Sequence, residues 1–570
     1  MYKRNNKHSQ KSLFDLNPFS LPELQKDIEK TEEYFFYQTI FCNINEDIFA
    51  PLYCCDNGRP NASINAMVSA LILKEKRNWT YKELFKELKY HLLPRVAIGL
   101  FSFSEMPFNQ ATIFNFQNRL RAYEEKTDIN LIKTVFDDLT TEQIRKLKHK
   151  TNIARTDSFM IDSNIRNYSR LQLLIEIILR IYRVLSDSDK KRFSARFATY
   201  KDLSSVHYIY RLKGSDISHE LVKITSLYYW IKLNLPSKYF SCQEYVNFIR
   251  VYNEHFTFDE QKKLCIRDKS EMHSNTLQSP DDPDATFRSK RGKQYQGQLG
   301  NVTETASPEN DIHLVVNVAV ATNNTDDSKI LNSQLDDICE KLPDLDELHT
   351  DGGYGSEDND KAFEEKGIKQ IQTAVKGKQA EVVINLDVLE EAKENKDAVI
   401  EVSCPNKQAV KASKTRRRYK ACFDKELCKA CPLADKCPTK EQKKCRAYHF
   451  TKEEISRKKR LGNLAKIPPN RRKIRANVEA TVHEFTHRMR GHKLKVRGHF
   501  KTNLFVYCTA IAINLGRIYR NNVKIPGKNP AISLFRLAFK YFGEYWKILR
   551  NFLCCMAENL ISVKNRNWSF

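Results

Sequence analysis

The chain contains, at residues 346–356, the stretch D-E-L-H-T-D-G-G-Y-G-S. Leu345 and Leu348 are typical of the end of a buried strand, and the carboxylate of Asp351 follows before a glycine-rich turn. Because glycine tolerates positive φ and lets a backbone or a ligand come close, an acid here suits the binding of a metal or a phosphate. An ordinary Asp-Gly turn between a strand and a helix has the same local sequence, so other stretches must decide.

The composition describes a large and basic chain. Its 570 residues are enough for about three to four domains at roughly 150 residues each. The 95 lysines and arginines exceed the 70 acidic residues, giving a formal charge of +25. This excess indicates a polyanionic partner, with nucleic acid as the leading candidate, although a solvated basic surface has the same composition.

The sequence shows neither an export signal nor a membrane span. The N-terminus lacks the apolar stretch of a secretion signal, and the most apolar run, residues 504–515, is shorter than the about 20 residues that a span needs. We therefore expect that run to be a core helix and the protein to be cytoplasmic, without a membrane partner. Fifteen cysteines in such a chain indicate reduced thiols with one local metal cluster.

Residues 1–150 have the periodicity of helices. Apolar residues recur at helical spacing after G-R-P at 58–60, and Thr80 with Glu83 forms the capping box of a further helix. The polar face of residues 109–121 carries glutamine, asparagine and arginine, the residue types that contact phosphates and base edges. We expect an all-α, DNA-binding N-terminal domain, with an ordinary helical bundle as the alternative.

The periodicity changes to two at residues 151–162, which predicts a strand. Asp157 and Asp162 fall on opposite faces of that strand, so only one of them points into a shared site. Asp157 lies nearer the middle, where a buried charge requires a cation or a partner, and it is the preferred candidate. Taken alone, an aspartate at such a position is more often structural than functional.

Strands and helices then alternate in the order of an α/β fold. A helical insertion at about 170–270 separates the strand with Asp157 from two strands, a helix and the strand that ends at Asp351. The acids come from different strands, and ligands of such sheets bind at strand ends, so we predict an α/β core over residues 151–400. The intervening segments are strands 294–305 and 312–321 and helix 328–342.

A polar loop after the insertion ends in a basic cluster. Such a cluster can lie against a phosphate backbone, although runs of charge are usually just solvated. We predict that it contacts DNA through Arg288, Lys290, Arg291 and Lys293.

A cysteine-rich module follows at residues 401–450. A Cys-x-x-Cys pair flanked by further cysteines is typical of a structural zinc site in which protein thiolates fill every position. Cys404 and Cys445 flank the set and are alternative ligands, and reduced cysteines without a metal are the other interpretation. The predicted zinc ligands are Cys422, Cys428, Cys431 and Cys437.

A third acid lies in residues 451–520, on a helix that follows Pro468 and Pro469. Glu479 borders the apolar stripe of that helix, and Arg475 is one turn before it. An acid at such a border, among cations, can face a site. Glu484 is the competing choice, but it lies about 140° from Glu479 around the helix.

With these residues in order, the chain resembles a DDE transposase of a bacterial insertion sequence. The resemblance covers roughly residues 45–520. It rests on six motifs, namely G-R-P at 58–60, T-D-S at 156–158, N-I-R at 164–166, T-D-G-G-Y at 350–354, C-x-x-C-P at 428–432 and R-x-x-x-E at 475–479.

The resemblance implies an architecture and a set of catalytic residues. The core would be a ribonuclease H-like mixed sheet with a helical insertion, whose last part is residues 451–520, followed by a helical tail at 521–570. Asp157, Asp351 and Glu479 would be the catalytic acids and hold two Mg²⁺ ions, or Mn²⁺, for phosphodiester cleavage.

The resemblance also implies partners. These are double-stranded DNA at the element ends and the target, contacted by Arg475 and by Arg488 or Arg490, and a second copy of the chain, in the bacterial nucleoid. Where the wider clan often has a tyrosine and a lysine around this motif, the chain has Arg472 and Thr486. A zinc-containing regulator without catalysis and a nuclease that cuts without joining are the alternative functions.

Overall fold

A computed structural model describes residues 1–5, 22–55, 57–101, 108–290, 292–377, 380–390, 399–416, 418–489, 491 and 493–524. Over these residues the chain is a mixed α/β protein with helices at its N-terminal end and a mixed sheet, as the sequence predicts. Most of the predicted tail, residues 525–570, lies outside the described residues.

The N-terminal part is helical. Helix α4 begins as predicted, because the Thr80 hydroxyl accepts a hydrogen bond from the backbone of Glu83 and the Glu83 carboxylate accepts one from the backbone of Thr80. On α6, Gln117 donates to the Tyr81 hydroxyl, so part of the polar face of that helix is bound within the bundle. The helices are α1 (Pro22–Glu29), α2 (Glu32–Thr39), α3 (Ile64–Lys76), α4 (Tyr81–Tyr90), α5 (Leu92–Ala97), α6 (Gln110–Thr127) and α7 (Leu131–Leu147).

A long strand and a group of helices follow. The strand is β1 (Ile153–Asp162), where the change of periodicity predicts one. The helices occupy the region of the predicted insertion and have a core of their own, in which the rings of Tyr228 and Phe248 stack 5.0 Å apart. The elements are α8 (Arg170–Val184), α9 (Asp187–Phe197), α10 (Ser205–Arg211), α11 (Ile217–Asn234), α12 (Gln243–His255), β2 (Phe256–Phe258) and β3 (Leu264–Ile266).

The central sheet is built from β1 and five later strands. These strands and the helices between them are β4 (Thr286–Lys290), β5 (Lys293–Thr305), β6 (Val315–Thr322), α13 (Asp327–Lys341), β7 (Glu347–Thr350), α14 (Glu357–Glu365) and β8 (Lys369–Gln372). The strand order is β4-β5-β1-β7-β8, and β6 also pairs with β5. Strand β1 is antiparallel to β5 but parallel to β7, and β7 is parallel to β8, so the sheet is mixed.

Two small sheets form the cysteine-rich part of the chain. Their strand orders are β11-β10-β9 and β12-β13-β15-β14. Ile400, Phe423 and Phe450 are buried in a core that is separate from that of the central sheet. The elements are β9 (Asn385–Glu390), β10 (Val399–Ser403), β11 (Ala409–Lys411), β12 (Ser413–Lys414), β13 (Tyr419–Phe423), α15 (Lys425–Lys429), β14 (Lys440–Glu441) and β15 (Arg446–Phe450).

The last described helices return to the central sheet. They are α16 (Lys452–Lys466), α17 (Pro469–Arg472), α18 (Val478–Thr486) and α19 (His499–Lys524). Residues 504–515 of α19 are buried in one apolar cluster with α3, α7 and β6, which confirms the predicted core helix. Among the described helices, none combines the length and the apolar character needed to cross a membrane.

Candidate active site

Two acids from different strands meet at one edge of the sheet. Strands β1 and β7 are parallel neighbours in which Arg155 lies opposite His349. The same register, continued by two residues, sets Asp157 opposite Asp351. Residues opposite each other in adjacent strands are about 5 Å apart at the backbone and share a face of the sheet.

Asp351 is held by the turn that follows β7. Its Oδ1 accepts a hydrogen bond from the backbone N–H of Gly353 at 2.7 Å. A Cβ atom on Gly352 would lie 2.6 Å from the carbonyl oxygen of Ala374, so glycine is needed because another backbone segment passes close by. Gly352, Gly353 and Gly355 do not have positive φ, so close approach rather than left-handed backbone explains these glycines.

Arg475 lies among the three predicted acids. Its Nη2 donates to Oδ2 of Asp157 at 2.6 Å, and its Nη1 is 3.7 Å from Oε1 of Glu479. Burial acts to lower the pKa of Arg475, but the charges of Asp157, Asp351 and Glu479 outweigh that effect and raise it. The structure therefore brings Asp157, Asp351 and Glu479 around one guanidinium group, and their catalytic role stays a prediction.

The acids of this cluster differ in their surroundings. The Asp157 side chain is only 13% exposed, and burial raises its pKa even though Arg475 and the backbone N–H of Ser158 act to lower it. Asp351 contributes to the same rise of the Asp157 pKa through its negative charge. The Glu479 side chain is 71% exposed. Three carboxylates beside one arginine leave an excess of negative charge, which favours additional cations.

The competing acids have other partners. Oε2 of Glu484 is 2.6 Å from Nη2 of Arg517, on the far side of α18 from the site. Asp162 lies on the opposite face of β1 from Asp157, where its Oδ1 accepts a hydrogen bond from the backbone N–H of Gln296 at 3.3 Å. These contacts favour the choice of Asp157 and Glu479.

A buried charge network holds α18 against the sheet. Glu304 on β5 is fully buried, and its carboxylate lies 2.7 Å from Nε of Arg155 and 2.7 Å from Nη1 of Arg517. It also accepts a hydrogen bond of 2.6 Å from the hydroxyl of Thr481 on α18. Burial acts to raise the pKa of Glu304, but the two arginines outweigh it and lower that pKa. A strand, the sheet neighbour β1 and two helices are thus joined by one carboxylate.

The same network reaches the segment that carries the third acid. Nη1 of Arg155 donates to the carbonyl oxygen of Ile474 at 3.0 Å, one residue before Arg475. The backbone position of Arg475 and, one turn later, of Glu479 is therefore tied to β1. In the sequence, the only signal for this network is a charged residue within each of two predicted strands, Glu304 and Arg155. Periodicity alone does not predict that these two strands are neighbours.

Two residues beside the site were not predicted. Oδ2 of Asp327, at the start of α13, is 3.4 Å from the point where a Gly353 side chain would begin, and Oδ1 of Asp351 is 3.0 Å from the same point. Tyr354 is fully buried, and its hydroxyl accepts a hydrogen bond from Asn301 at 2.7 Å. The available signals were an Asp-Asp pair before a predicted helix and a tyrosine after the glycine pair.

Two of the predicted DNA-contacting residues border a cleft next to the site. Lys290 and Lys293 are opposite each other in the β4–β5 hairpin, and both are exposed. They line a cleft of about 310 Å³ together with Ser158, the residue after Asp157. This arrangement places two lysines along a cleft that reaches the residue next to Asp157.

Other predicted DNA-contacting arginines are bound within the fold. Nη1 of Arg288 donates to the carbonyl oxygen of Asn323 at 2.9 Å, and Nε of Arg488 donates to that of Glu75 at 3.3 Å. These two guanidinium groups therefore brace neighbouring segments. The remaining two, Arg291 and Arg490, lie outside the described residues.

The predicted zinc ligands are divided between two places. Cys428, Cys431 and Cys437 line a small cavity together with Cys404, whereas Cys422 is exposed on β13. In the part of the chain that the structure describes, no three histidine, cysteine or acidic side chains stand close enough to hold one metal ion as placed. The predicted set with Cys422 is therefore not assembled in this structure, and Cys404 occupies the place at the cavity.

Two family models match the chain. One, described as Transposase domain (DUF772), matches residues 23–119, and the other, described as Transposase DDE domain, matches residues 403–519. These two matches support a DDE transposase of the insertion-sequence type. No curated protein and no solved structure matches it.

The matches confirm the resemblance that the motifs indicate. The DDE match contains Glu479 and the four cysteines that line the small cavity, while Asp157 and Asp351 lie between the two matched regions. A DDE domain implies the use of divalent metal ions, typically Mg²⁺, and a transposase acts on DNA.

Proposed function

We propose that this transposase binds the ends of its mobile element, cuts DNA there and joins the cut strand to target DNA. Asp157, Asp351 and Glu479 would be the catalytic acids. The observation that supports the proposal is the parallel register of β1 and β7, which pairs Arg155 with His349 and, continued by two residues, brings Asp157 close to Asp351. Arg475, which contacts Asp157 and Glu479, supports the inclusion of the third acid.

The three carboxylates would hold two divalent ions. Carboxylate oxygens are hard ligands that suit Mg²⁺, and Mn²⁺ is a close substitute. When bound, such ions stabilise the attacking and the leaving oxygen of an in-line displacement at phosphorus. The donor set and its excess negative charge fit this use. As placed, three acids do not converge on one point within the described residues, and the exposed Glu479 side chain has room to turn toward the other two.

Residues of the chain would hold the DNA in place for two reactions, cleavage at the element end and joining to the target. The guanidinium of Arg475 donates a hydrogen bond to Asp157 in the structure. On DNA it would instead donate to a non-bridging phosphate oxygen, which its planar donors match well. Water would attack the phosphorus at the element end, and the 3′-oxygen would leave and take up a proton. The freed 3′-hydroxyl would then lose its proton and attack a target phosphodiester, whose own 3′-oxygen would leave and take up a proton. Neither step requires a covalent bond to the enzyme.

The architecture supports the same function. Three parallel strands, β1, β7 and β8, beside the antiparallel pair β5 and β6 are compatible with the ribonuclease H-like core that the family resemblance implies. Lys290 and Lys293 would contact the DNA backbone next to the acids. The N-terminal helices over residues 1–150 would bind the element ends, with two or more copies acting together on DNA.

The test is an assay of cleavage and joining on a duplex that carries the inverted repeats flanking the gene. With Mg²⁺, the wild type should nick the end and yield joined product, while Asp351→Ala and Glu479→Ala should bind the duplex and do neither. Asp344→Ala is the matched control, because Asp344 is an exposed acid shortly before β7. Cleavage by Asp351→Ala would overturn the assignment.

Two further outcomes separate the alternative functions. Wild-type cleavage without joined product would replace the proposal by a nuclease. Sequence-specific binding without metal-dependent cleavage would replace it by a DNA-binding regulator.

A further inference from the structure

Four thiols surround one small cavity in the cysteine-rich part of the chain. The cavity has a volume of about 20 Å³, which is room for about one water molecule or one ion. It lies against the core that contains Phe423 and Phe450, so it is screened on one side by apolar side chains. The thiols belong to Cys404, Cys428, Cys431 and Cys437.

Two turns bring Cys404, Cys428 and Cys431 to the cavity, and Cys437 follows the 3₁₀ turn Ala434–Lys436. After β10, the backbone N–H of Cys404 donates to the carbonyl oxygen of Gln408 at 2.9 Å, and Lys407 within this turn has φ of 58°. After α15, the backbone N–H of Cys431 donates to the carbonyl oxygen of Cys428 at 3.4 Å. The first turn contributes one thiol to the cavity lining and the second contributes two, and a Cys-x-x-Cys turn of this kind is typical of zinc sites.

Polar side chains next to the cavity donate to the sulfur atoms. The Thr439 hydroxyl donates to Sγ of Cys437 at 3.2 Å, and Nε2 of Gln408 donates to Sγ of Cys428 at 3.7 Å. Arg446 also lines the cavity and supplies a positive charge. Polar donors next to the ligating atoms are typical of metal sites, where they orient the ligands.

The other two cysteines of the module face away from the cavity. In β13, Tyr419, Ala421 and Phe423 are buried, so the alternation of the strand directs Cys422 to solvent. Cys445, just before β15, lies within hydrogen-bonding reach of Cys422. These two thiols therefore form a separate pair on the exposed face.

We propose that Cys404, Cys428, Cys431 and Cys437 bind one Zn²⁺ ion as a structural site. Four thiolates fill a tetrahedral shell, so no position is left for a substrate, and the thiol protons are released to solvent on binding. Because the thiols are not close enough to share an ion as placed in the described chain, binding would draw the two turns together. The ion would thereby fix the module that joins the segment of Asp351 to that of Glu479.

The ligand set can be tested with matched serine variants of the full chain. Zinc content of the purified protein should be about one ion per chain in the wild type and in Cys422→Ser, and close to zero in Cys404→Ser. The Co²⁺-loaded protein should show sulfur-to-metal charge-transfer absorption in the wild type and in Cys422→Ser. Zinc loss in Cys422→Ser with retention in Cys404→Ser would overturn the ligand set, and a wild type without bound zinc or cobalt would overturn the site.

A serine variant can lose zinc because it does not fold, and a measurement on the wild type avoids this problem. Thiol alkylation of the native chain, followed by peptide mass spectrometry, should label Cys422 and Cys445 at once. The four cavity thiols should react only after a zinc chelator is added. Equal labelling of both groups before and after the chelator would contradict the proposal.

Discussion

Arg475 is the residue on which the charge balance of the acid cluster depends. Its Nη2 binds Asp157 at 2.6 Å, and the Asp157 side chain is largely enclosed. Removing one partner of a buried ion pair costs about 3–5 kcal/mol, because the other charge is left without compensation. Divalent ions bound to the same carboxylates would neutralise the charge of Asp157 in place of Arg475.

Arg475→Ala should therefore lower the free energy of unfolding by about 3 kcal/mol in metal-free buffer, and Mg²⁺ should restore much of the loss. Urea unfolding with and without Mg²⁺ measures both effects. Arg472→Ala is the control, since Arg472 donates to the carbonyl oxygens of Leu464 and Ile467 rather than to the acids. An equal response of both variants to Mg²⁺ would argue against metal binding by the cluster.

His255 makes the stability of the insertion depend on pH. It is 2% exposed, and burial lowers its pKa to about 3, with the charge of Arg170 acting in the same direction. The unfolded chain takes up this proton near pH 6.5. The stabilisation is therefore complete above about pH 6.5 and is lost as pH falls toward about 3, by roughly 1.4 kcal/mol per pH unit.

His255→Gln should flatten the pH dependence of the unfolding free energy over that window, because glutamine does not titrate. Urea midpoints measured at a series of pH values give the slope. His207→Gln is the control, since His207 is exposed on α10. Identical slopes for the wild type and His255→Gln would show that folding does not lower the pKa of His255.

Among the elements, α18 depends on the carboxylate of Glu304. This group binds Arg155, Arg517 and Thr481 from three different elements. Glu304→Gln keeps the size of the side chain but leaves the buried Arg155 without a counter-charge and Arg517 with Glu484 alone. We therefore expect a loss of about 3–5 kcal/mol in unfolding free energy. DNA cleavage should fall while duplex binding persists, because α18 carries Glu479.

Glu484→Gln is the matched control for this helix. Glu484 pairs with the same Arg517, but its side chain is 30% exposed, and we expect a loss of only about 1 kcal/mol. Urea unfolding and the cleavage assay together make the comparison. Equal losses in the two variants would mean that α18 is held by its apolar face rather than by Glu304.

The elements also show where sequence reasoning succeeds and where it ends. The capping box of α4 and the faces of β1 follow from local periodicity, and both appear in the structure as predicted. The pairing of Asp157 with Asp351 depends on the register of two distant strands, which the local pattern does not contain. Spacing alone groups Cys422 with the other cysteines, whereas the alternation of side chains along β13 directs Cys422 to solvent.

In the whole molecule, the acids are held by a core that unites distant parts of the chain. Helix α19 packs against α3 and α7 of the N-terminal part and against β6 of the sheet. Phe159 on β1 and Phe485 on α18 have ring centroids 5.2 Å apart in the same apolar cluster. DNA bound by the N-terminal helices would therefore be held at a fixed distance from the sheet that carries the proposed catalytic acids.

The charge of +25 gives a last prediction about how DNA reaches that sheet. Each phosphate contact changes the slope of log affinity against log salt by about 0.9. Replacing Lys290 and Lys293 by alanine should weaken duplex binding for any sequence and reduce the slope by roughly 2. Binding measured over a series of salt concentrations gives both quantities.

The control pair is Lys262 and Lys263, which are exposed in the β2–β3 hairpin of the insertion. Both pairs contribute the same charge to the chain, so net charge alone predicts equal losses for the two double variants. If DNA lies along the cleft beside Ser158, the slope of log affinity against log salt should change only when Lys290 and Lys293 are replaced. Equal slopes for the two variants would mean that the duplex does not follow this cleft, and that the basic composition attracts DNA without guiding it.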